Sequence, residues 1–292
     1  MHAPLDLARW AYHFEGGSQE HVLKALSVYQ NQDGGFGHTL EADSWNPNST
    51  PIQTATAMEI LKEINLDGKN HPLIHGILKY LESGVDFRSG KWENTVSANN
   101  DYPQAPWWHT DSDRASRREY NPTAIITEFI LEHADKNSEI YLKGFAIAQE
   151  LSKEFSENSY LEMHPPLCVN RMLMSIDQAN LHDEFEYDRL SERLRQQVND
   201  LIRQGLNSWN DYGCKPSAFI QSPDSPFFKE NKEFLIKELD YILETRNAEG
   251  VWNIIWSWNN FIKELAISEN WWKANIVIKY IRLLQSFDRI ES

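Results

Sequence analysis

A chain of 292 residues, 41% hydrophobic and 24% charged, has the composition of a soluble globular protein and can bury a large core without staples. Its net charge of −15 argues against a nucleic-acid partner and against docking on an anionic membrane surface, both of which need clustered Lys and Arg. Two cysteines, Cys168 and Cys214, make no disulfide framework, and no apolar run approaches the ~20 residues of a membrane span.

From the N-terminus, "MHAPLDLARWAYHF" has neither a basic segment nor an apolar one of the kind that directs secretion, so a reduced, cytoplasmic protein is expected. Apolar residues then return at helical spacing almost everywhere: in "HVLKALSVYQNQ", "PIQTATAMEILKEI", "PLIHGILKYLES", "NPTAIITEFILEHA" and "EIYLKGFAIAQELSKEF". "VNRMLMSIDQ", "YDRLSERLRQQVNDLI", "KEFLIKELDYILETR" and "WWKANIVIKYIRLLQSF" continue the pattern. The spacing predicts an all-α chain of about eleven helices, with Pro51, Pro72 and Pro122 each just inside a helix start. Alternating strand-like runs are nearly absent. No linker divides the chain, so residues 1–292 are expected to form one domain. The longest irregular stretch, Phe87 to Tyr120, is rich in Trp and Tyr, which argues against disorder.

Three segments share a plan of helix, glycine-aromatic turn, loop and helix. They are "YQNQDGGFGHTLEADSWNPNSTPIQTATAMEIL" from Tyr29, "ILKYLESGVDFRSGKWENTVS" from Ile77, and "LIKELDYILETRNAEGVWNIIWSWNN" from Leu235. Two weaker copies fill Glu139 to Ile176 and Tyr187 to Phe228. The glycines are expected to end a helix and turn the chain, since glycine takes the left-handed conformation cheaply. A phosphate loop would follow a strand and carry Lys-Ser/Thr or GxGxxG, and neither pattern is present.

"QNQDGGFG" resembles the QW repeat of squalene–hopene-type terpenoid cyclases and protein prenyltransferase β subunits, and "LETRNAEGVW" looks like a degenerate copy with Thr245 in place of Gln. The resemblance covers the repeat plan of most of the chain. It implies an (α/α) toroid of about six helical hairpins, with a ligand cavity at one end.

The chemistry of that family is missing. Its cyclases carry DxDD before Thr-Ala; here Thr123 and Ala124 follow Glu119, Tyr120, Asn121 and Pro122, and an amide is no general acid. "DSDR", from Asp111, ends in Arg114 instead of an acid. Its zinc enzymes pair Asp with Cys two apart; Asp211 and Cys214 are three apart, and His164 with Cys168 makes no full ligand set. DDxxD is absent too. Of the basic residues only Arg114, Arg117 and Arg118 cluster, which is equally a solvated loop face. No cofactor or metal is expected, and catalysis is left open.

Residues just ahead of the helices that would line such a cavity are the candidates. Glu41, Asp43 and Asp111 are the expected acid–base or polar groups. His38, Trp45, Trp107, Trp108, His109, Asp211, Tyr212, Trp256 and Trp258 are the expected ligand contacts. The chain holds eleven Trp, which suits either core packing or an aromatic cavity. The expected partner is a small molecule, isoprenoid-like or a sugar. Three functions stay open: a ligand-binding toroid of the cyclase and prenyltransferase type, a carbohydrate-active enzyme using paired carboxylates, and a non-catalytic lipid- or protein-binding module.

Overall fold

The computed structural model describes residues 2–66, 68, 70–111, 120–211 and 213–291. The fold is mostly helical. Ten α-helices occur among the described residues: α1 His2–Phe14, α2 Gln19–Ser27, α3 Pro51–Glu63, α4 Pro72–Glu82, α5 Thr123–His133, α6 Glu139–Glu157, α7 His164–Gln178, α8 Tyr187–Gly205, α9 Phe228–Glu244 and α10 Ile262–Ser286. None is long and apolar enough to cross a membrane.

The helix starts follow from short polar caps. Ser18, Thr50 and Ser138 each accept a backbone N–H three residues on, and His71 accepts from Leu73 N at 3.2 Å. Pro51 and Pro72 sit in the first turn as expected. Pro122 is instead the residue before the first turn of α5, where its fixed φ still suits the entry.

Two helices are largely enclosed. Thr123 through Leu131 of α5 are all buried. In α3 every residue from Pro51 to Leu61 is buried except Thr56 and Glu59. A helix apolar all round belongs in an interior. By contrast α8 buries one stripe, Leu190, Leu194, Val198, Leu201 and Ile202, and turns charge to solvent. The packing matches. α5 packs against α3, α6 and α7; α6 against α4, α7 and α8; α8 against α7 and α9; and α1 against both α2 and α10.

The glycine turns are small hairpins beyond the helices instead of helix ends. After α2 the chain runs on to Asn31, whose N–H bonds Gly35 O at 2.8 Å while Gly34 N bonds Asn31 O at 3.0 Å. After α9 the same pair recurs, Asn247 N to Val251 O at 2.9 Å and Gly250 N to Asn247 O at 2.9 Å. The middle copy is a two-residue hairpin between strands β1 Phe87–Arg88 and β2 Lys91–Trp92, the strand pair the periodicity did not predict. Gly34, Gly90 and Gly250 all take φ between 83° and 93°, as the tip requires. Gly34 is pinned further: a Cβ there would lie 2.0 Å from Gly76 O in α4.

Each turn delivers a buried ring: Phe36, Trp92 and Trp252. Phe36 N donates to Thr54 Oγ1 in α3 at 3.0 Å, and Trp92 N donates to Thr123 Oγ1 in α5 at 3.0 Å. Trp252 uses its indole, which donates to Ile242 O at 2.8 Å. Gln30, the repeat's glutamine, bonds Gly34 O at 2.9 Å and Leu73 O at 3.1 Å, tying its turn to α4. One core runs from Leu5 to Leu284. A second, smaller cluster stands apart from it, and it is built from Ile52, Ala105, Trp108 and Trp258.

Candidate functional site

The small cluster marks where three loops meet. The 37–50 loop, between the first glycine turn and α3, leaves His38 and Thr39 at positive φ. Buried Gln53 shapes it by accepting Leu40 N at 2.9 Å and donating to Asn46 O at 2.8 Å. The 96–111 loop is stapled to it edge to edge. Ala105 N bonds Asp43 O at 2.9 Å, Trp45 N bonds Pro103 O at 3.0 Å, and buried Asn46 donates to buried Asn99 at 2.9 Å. The loop before α10 brings Trp258, whose indole donates to Asp43 Oδ1 at 3.2 Å. Ser268 of α10 completes the frame. Its hydroxyl donates to Ala42 O at 2.6 Å and accepts the Trp45 indole N–H at 3.0 Å.

Inside this frame lie two buried carboxyls, Glu41 and Asp43. Burial pushes the Glu41 carboxyl up, and the Asp43 charge beside it pushes it further. Burial also raises Asp43, but the indoles of Trp272, Trp258 and Trp256 hold it back. The walls are aromatic. Trp45 stacks on Trp271 with ring centroids 5.7 Å apart, and Trp256 meets Trp272 edge-on at 5.3 Å.

Three of the indole N–H groups are buried without a partner at hydrogen-bond geometry among the described residues: those of Trp108, Trp256 and Trp272. Trp108 faces Glu41, and Trp256 and Trp272 face Asp43, closely enough to favour the ionised carboxylates. With the Trp258 indole they surround two carboxyls with donors and aromatic faces.

Of the expected site residues, Glu41, Asp43, Trp45, Trp108, Trp256 and Trp258 come together here. Trp107, His109 and Asp111 are exposed and stand outside the enclosure. His38 is half-buried and shares a 2.9 Å hydrogen bond with Asn31, so it braces the first glycine turn. Asp211 is exposed in the turn after α8, and Tyr212, Arg114, Arg117 and Arg118 lie outside the described residues. Trp271, Trp272, Ser268 and Gln53 also belong to this frame and are not among the residues expected from the sequence. Gln53 offered one signal, a polar residue among the apolar positions of α3, whereas Ser268 lies in a part of α10 without an apolar stripe and offered none.

Among the described residues no cluster of three or more His, Cys, Asp or Glu side chains could hold a metal. Cys168 and Cys214 are free and buried, and burial pushes both thiols up to about 12, far from a reactive thiolate. No family model, curated protein or solved structure matches the chain.

Proposed function

We propose that the chain is an (α/α) toroid whose loop-bearing end is a carbohydrate-active site, with Glu41 and Asp43 as its acid and base. The ring reading rests on the packing order: α3, α5 and α7 in one series, α4, α6, α8 and α9 in another, and the first helix against the last. Glu63 of α3 supports the closure, because it is bound by Arg9 of α1 at 2.6 Å and approached by Arg282 of α10 at 3.6 Å.

The observation that carries the function is the set of indole donors directed at a buried carboxyl pair. Sugar hydroxyls and ring oxygens accept such N–H groups and donate to carboxylates, and indole faces stack on sugar rings. An isoprenoid chain has no acceptor to offer, so the resemblance to cyclases and prenyltransferases extends here to architecture alone.

The chemistry follows from two carboxyls whose surroundings push them apart. Glu41, raised furthest, keeps its proton and donates it to the departing glycosidic oxygen as the C–O bond breaks. Asp43, which burial also raises but which its indoles hold back, is the carboxylate of the pair and takes a proton from the water that attacks the anomeric carbon. The sum is hydrolysis, with the leaving sugar carrying Glu41's proton and Asp43 returning its own to the pair.

A panel of oligosaccharides assayed for released reducing ends tests this. Glu41→Gln should lower turnover by about 10²- to 10⁴-fold with an unchanged near-UV circular dichroism spectrum. Unaltered turnover in Glu41→Gln and Asp43→Asn, or an isoprenoid lipid retained in native mass spectrometry of the purified chain, would overturn the reading.

A further inference from the structure

Ser268 is the single buried residue in the first nine of α10, and solvent does not reach it at all. A helical serine often returns its hydroxyl to a carbonyl of its own helix one turn back. This one is turned to another element. Its O–H donates to Ala42 O at 2.6 Å, and its oxygen accepts the Trp45 indole N–H at 3.0 Å. Among the described residues no backbone N–H bonds Ala42 O, so the hydroxyl satisfies a buried carbonyl.

Ala42 lies between the two carboxyl residues. Its C=O belongs to the same peptide group as the N–H of Asp43, and that N–H donates to Glu41 Oε1 at 3.3 Å. A trans peptide is planar, with C=O and N–H on opposite edges. A donor that fixes the carbonyl therefore fixes the direction of the N–H. The peptides on either side have other partners: Glu41 O accepts Ser44 N and Asp43 O accepts Ala105 N, both at 2.9 Å. The peptide between them depends on Ser268. Hydrogen bonds on the two edges of one peptide also polarise each other, so the hydroxyl strengthens the N–H that reaches Glu41.

The same oxygen orients a ring. Trp45 carries its indole N–H to Ser268 and stacks at 5.7 Å on Trp271, nearly one turn further along α10. A single side chain of the last helix thus holds both the peptide behind the acid and one aromatic wall of the enclosure.

We propose that Ser268 is a positioning residue for Glu41: acting through the Ala42–Asp43 peptide, it aims the N–H that holds the acid, and it locks the plane of Trp45. Its consequence for turnover rests on the carbohydrate reading, whereas the link from Ser268 to Glu41 does not.

The test follows tryptophan emission of the intact chain and of Ser268 variants as pH is raised, with Glu41→Gln identifying the transition that belongs to Glu41 beside the Trp108 indole. A carboxylate that loses an N–H donor keeps its proton to higher pH, so Ser268→Ala should move that transition up by roughly half a unit or more. Ser268→Cys, which leaves only a weak donor, should move it in the same direction. Ser268→Thr keeps the hydroxyl and should leave it in place. Asp43 on the same loop and Glu59 of α3 are the titratable groups that act on Glu41, and no variant alters them, so the shift reports the peptide N–H. On a sugar that the intact chain cleaves, Ser268→Ala should lower kcat by about 10- to 100-fold and carry the alkaline limb of the pH profile upward. A transition unmoved in Ser268→Ala and Ser268→Cys overturns the proposal. So does an equal movement in Ser268→Thr, or a scan that Glu41→Gln leaves unchanged. A moved transition in a chain that turns over no sugar keeps the positioning role and sinks the acid–base reading. Sugar turnover with rate and pH profile untouched by Ser268→Ala does the reverse.

Discussion

At the scale of single residues, the first glycine turn is decided by contact distances more than by composition. Gly34 combines a φ of 93° with an approach to Gly76 O that leaves no room for a methyl group, since a Cβ would lie 2.0 Å from that oxygen. Gly34→Ala therefore meets a backbone penalty and a steric one together, and the backbone atom it meets cannot swing away. We expect a loss of at least about 2 kcal/mol by urea denaturation, against about 0.5–1 kcal/mol for a φ-compatible surface change. A shift below 1 kcal/mol would show that the turn can relax away from α4. Asp43 is fixed in a different way. It holds Trp258 directly and faces Trp256 and Trp272, so Asp43→Ala leaves buried indole donors with nothing opposite them. The loss should appear as altered tryptophan emission as well as lower stability.

At the scale of elements, the repeat explains itself through one recurring contact. A buried ring follows the turn, and its backbone N–H is received by a threonine at the start of the next enclosed helix: Phe36 by Thr54, and Trp92 by Thr123. Thr123 also returns its hydroxyl to Trp92 O at 3.2 Å. Thr123→Val keeps the shape and removes both bonds inside the core, so a loss of about 1–3 kcal/mol is expected, with Thr123→Ser recovering most of it. Equal stability of the Val and Ser variants would mean that packing alone places β2. This device was half legible in the sequence. Glycine-aromatic spacing showed the turns, and apolar periodicity showed the helices that follow them. The turn type was not legible, because a helix end and a hairpin tip ask for the same left-handed glycine. The start of α10 was also lost. Its first nine residues, from Ile262 to Asn270, expose Ile262 and Ile267 and bury only Ser268, so they lack an apolar stripe to read. The candidate site was legible by position, since Glu41 and Asp43 lie in the loop just ahead of an enclosed helix. Arg171 was not legible, because a charge paired with Glu59 of another helix has the same sequence pattern as one facing bulk water.

At the scale of the whole molecule, acidic groups in the interior set the response to pH. Burial raises Asp6 to about 6 in spite of its ion pair with Arg9, and it raises Glu41, Asp43, Glu128 and Glu238 as well. A carboxyl with a raised folded-state pKa binds its proton more tightly in the folded chain than in the unfolded one. Its contribution is complete below the unfolded value and is lost as pH rises through the folded value. For Asp6 that window runs from about 4 to about 6 and corresponds to on the order of 2 kcal/mol. Glu63 works in the opposite sense. Burial alone would raise it, but hydrogen bonds from His13 and Arg9 prevail and hold it well below the usual carboxylate range. Its contribution is present above the ordinary glutamate pKa and is lost as pH falls below it, and with it goes the junction of α1, α3 and α10. The net charge of −15 adds self-repulsion that grows toward alkaline pH. The melting temperature should therefore peak near pH 5 and fall by several degrees toward pH 8 when followed by differential scanning fluorimetry in constant ionic strength. Asp6→Asn should flatten the slope between pH 4 and 6, and Glu63→Gln should lower the whole curve most above pH 5, where the native carboxylate is charged and bound. A melting temperature that climbs steadily from pH 5 to pH 8 would mean that the interior carboxyls are ionised without penalty. In that case the enclosure around Glu41 and Asp43 is wetter than its indole walls imply, and a protonated Glu41 can no longer serve as the acid.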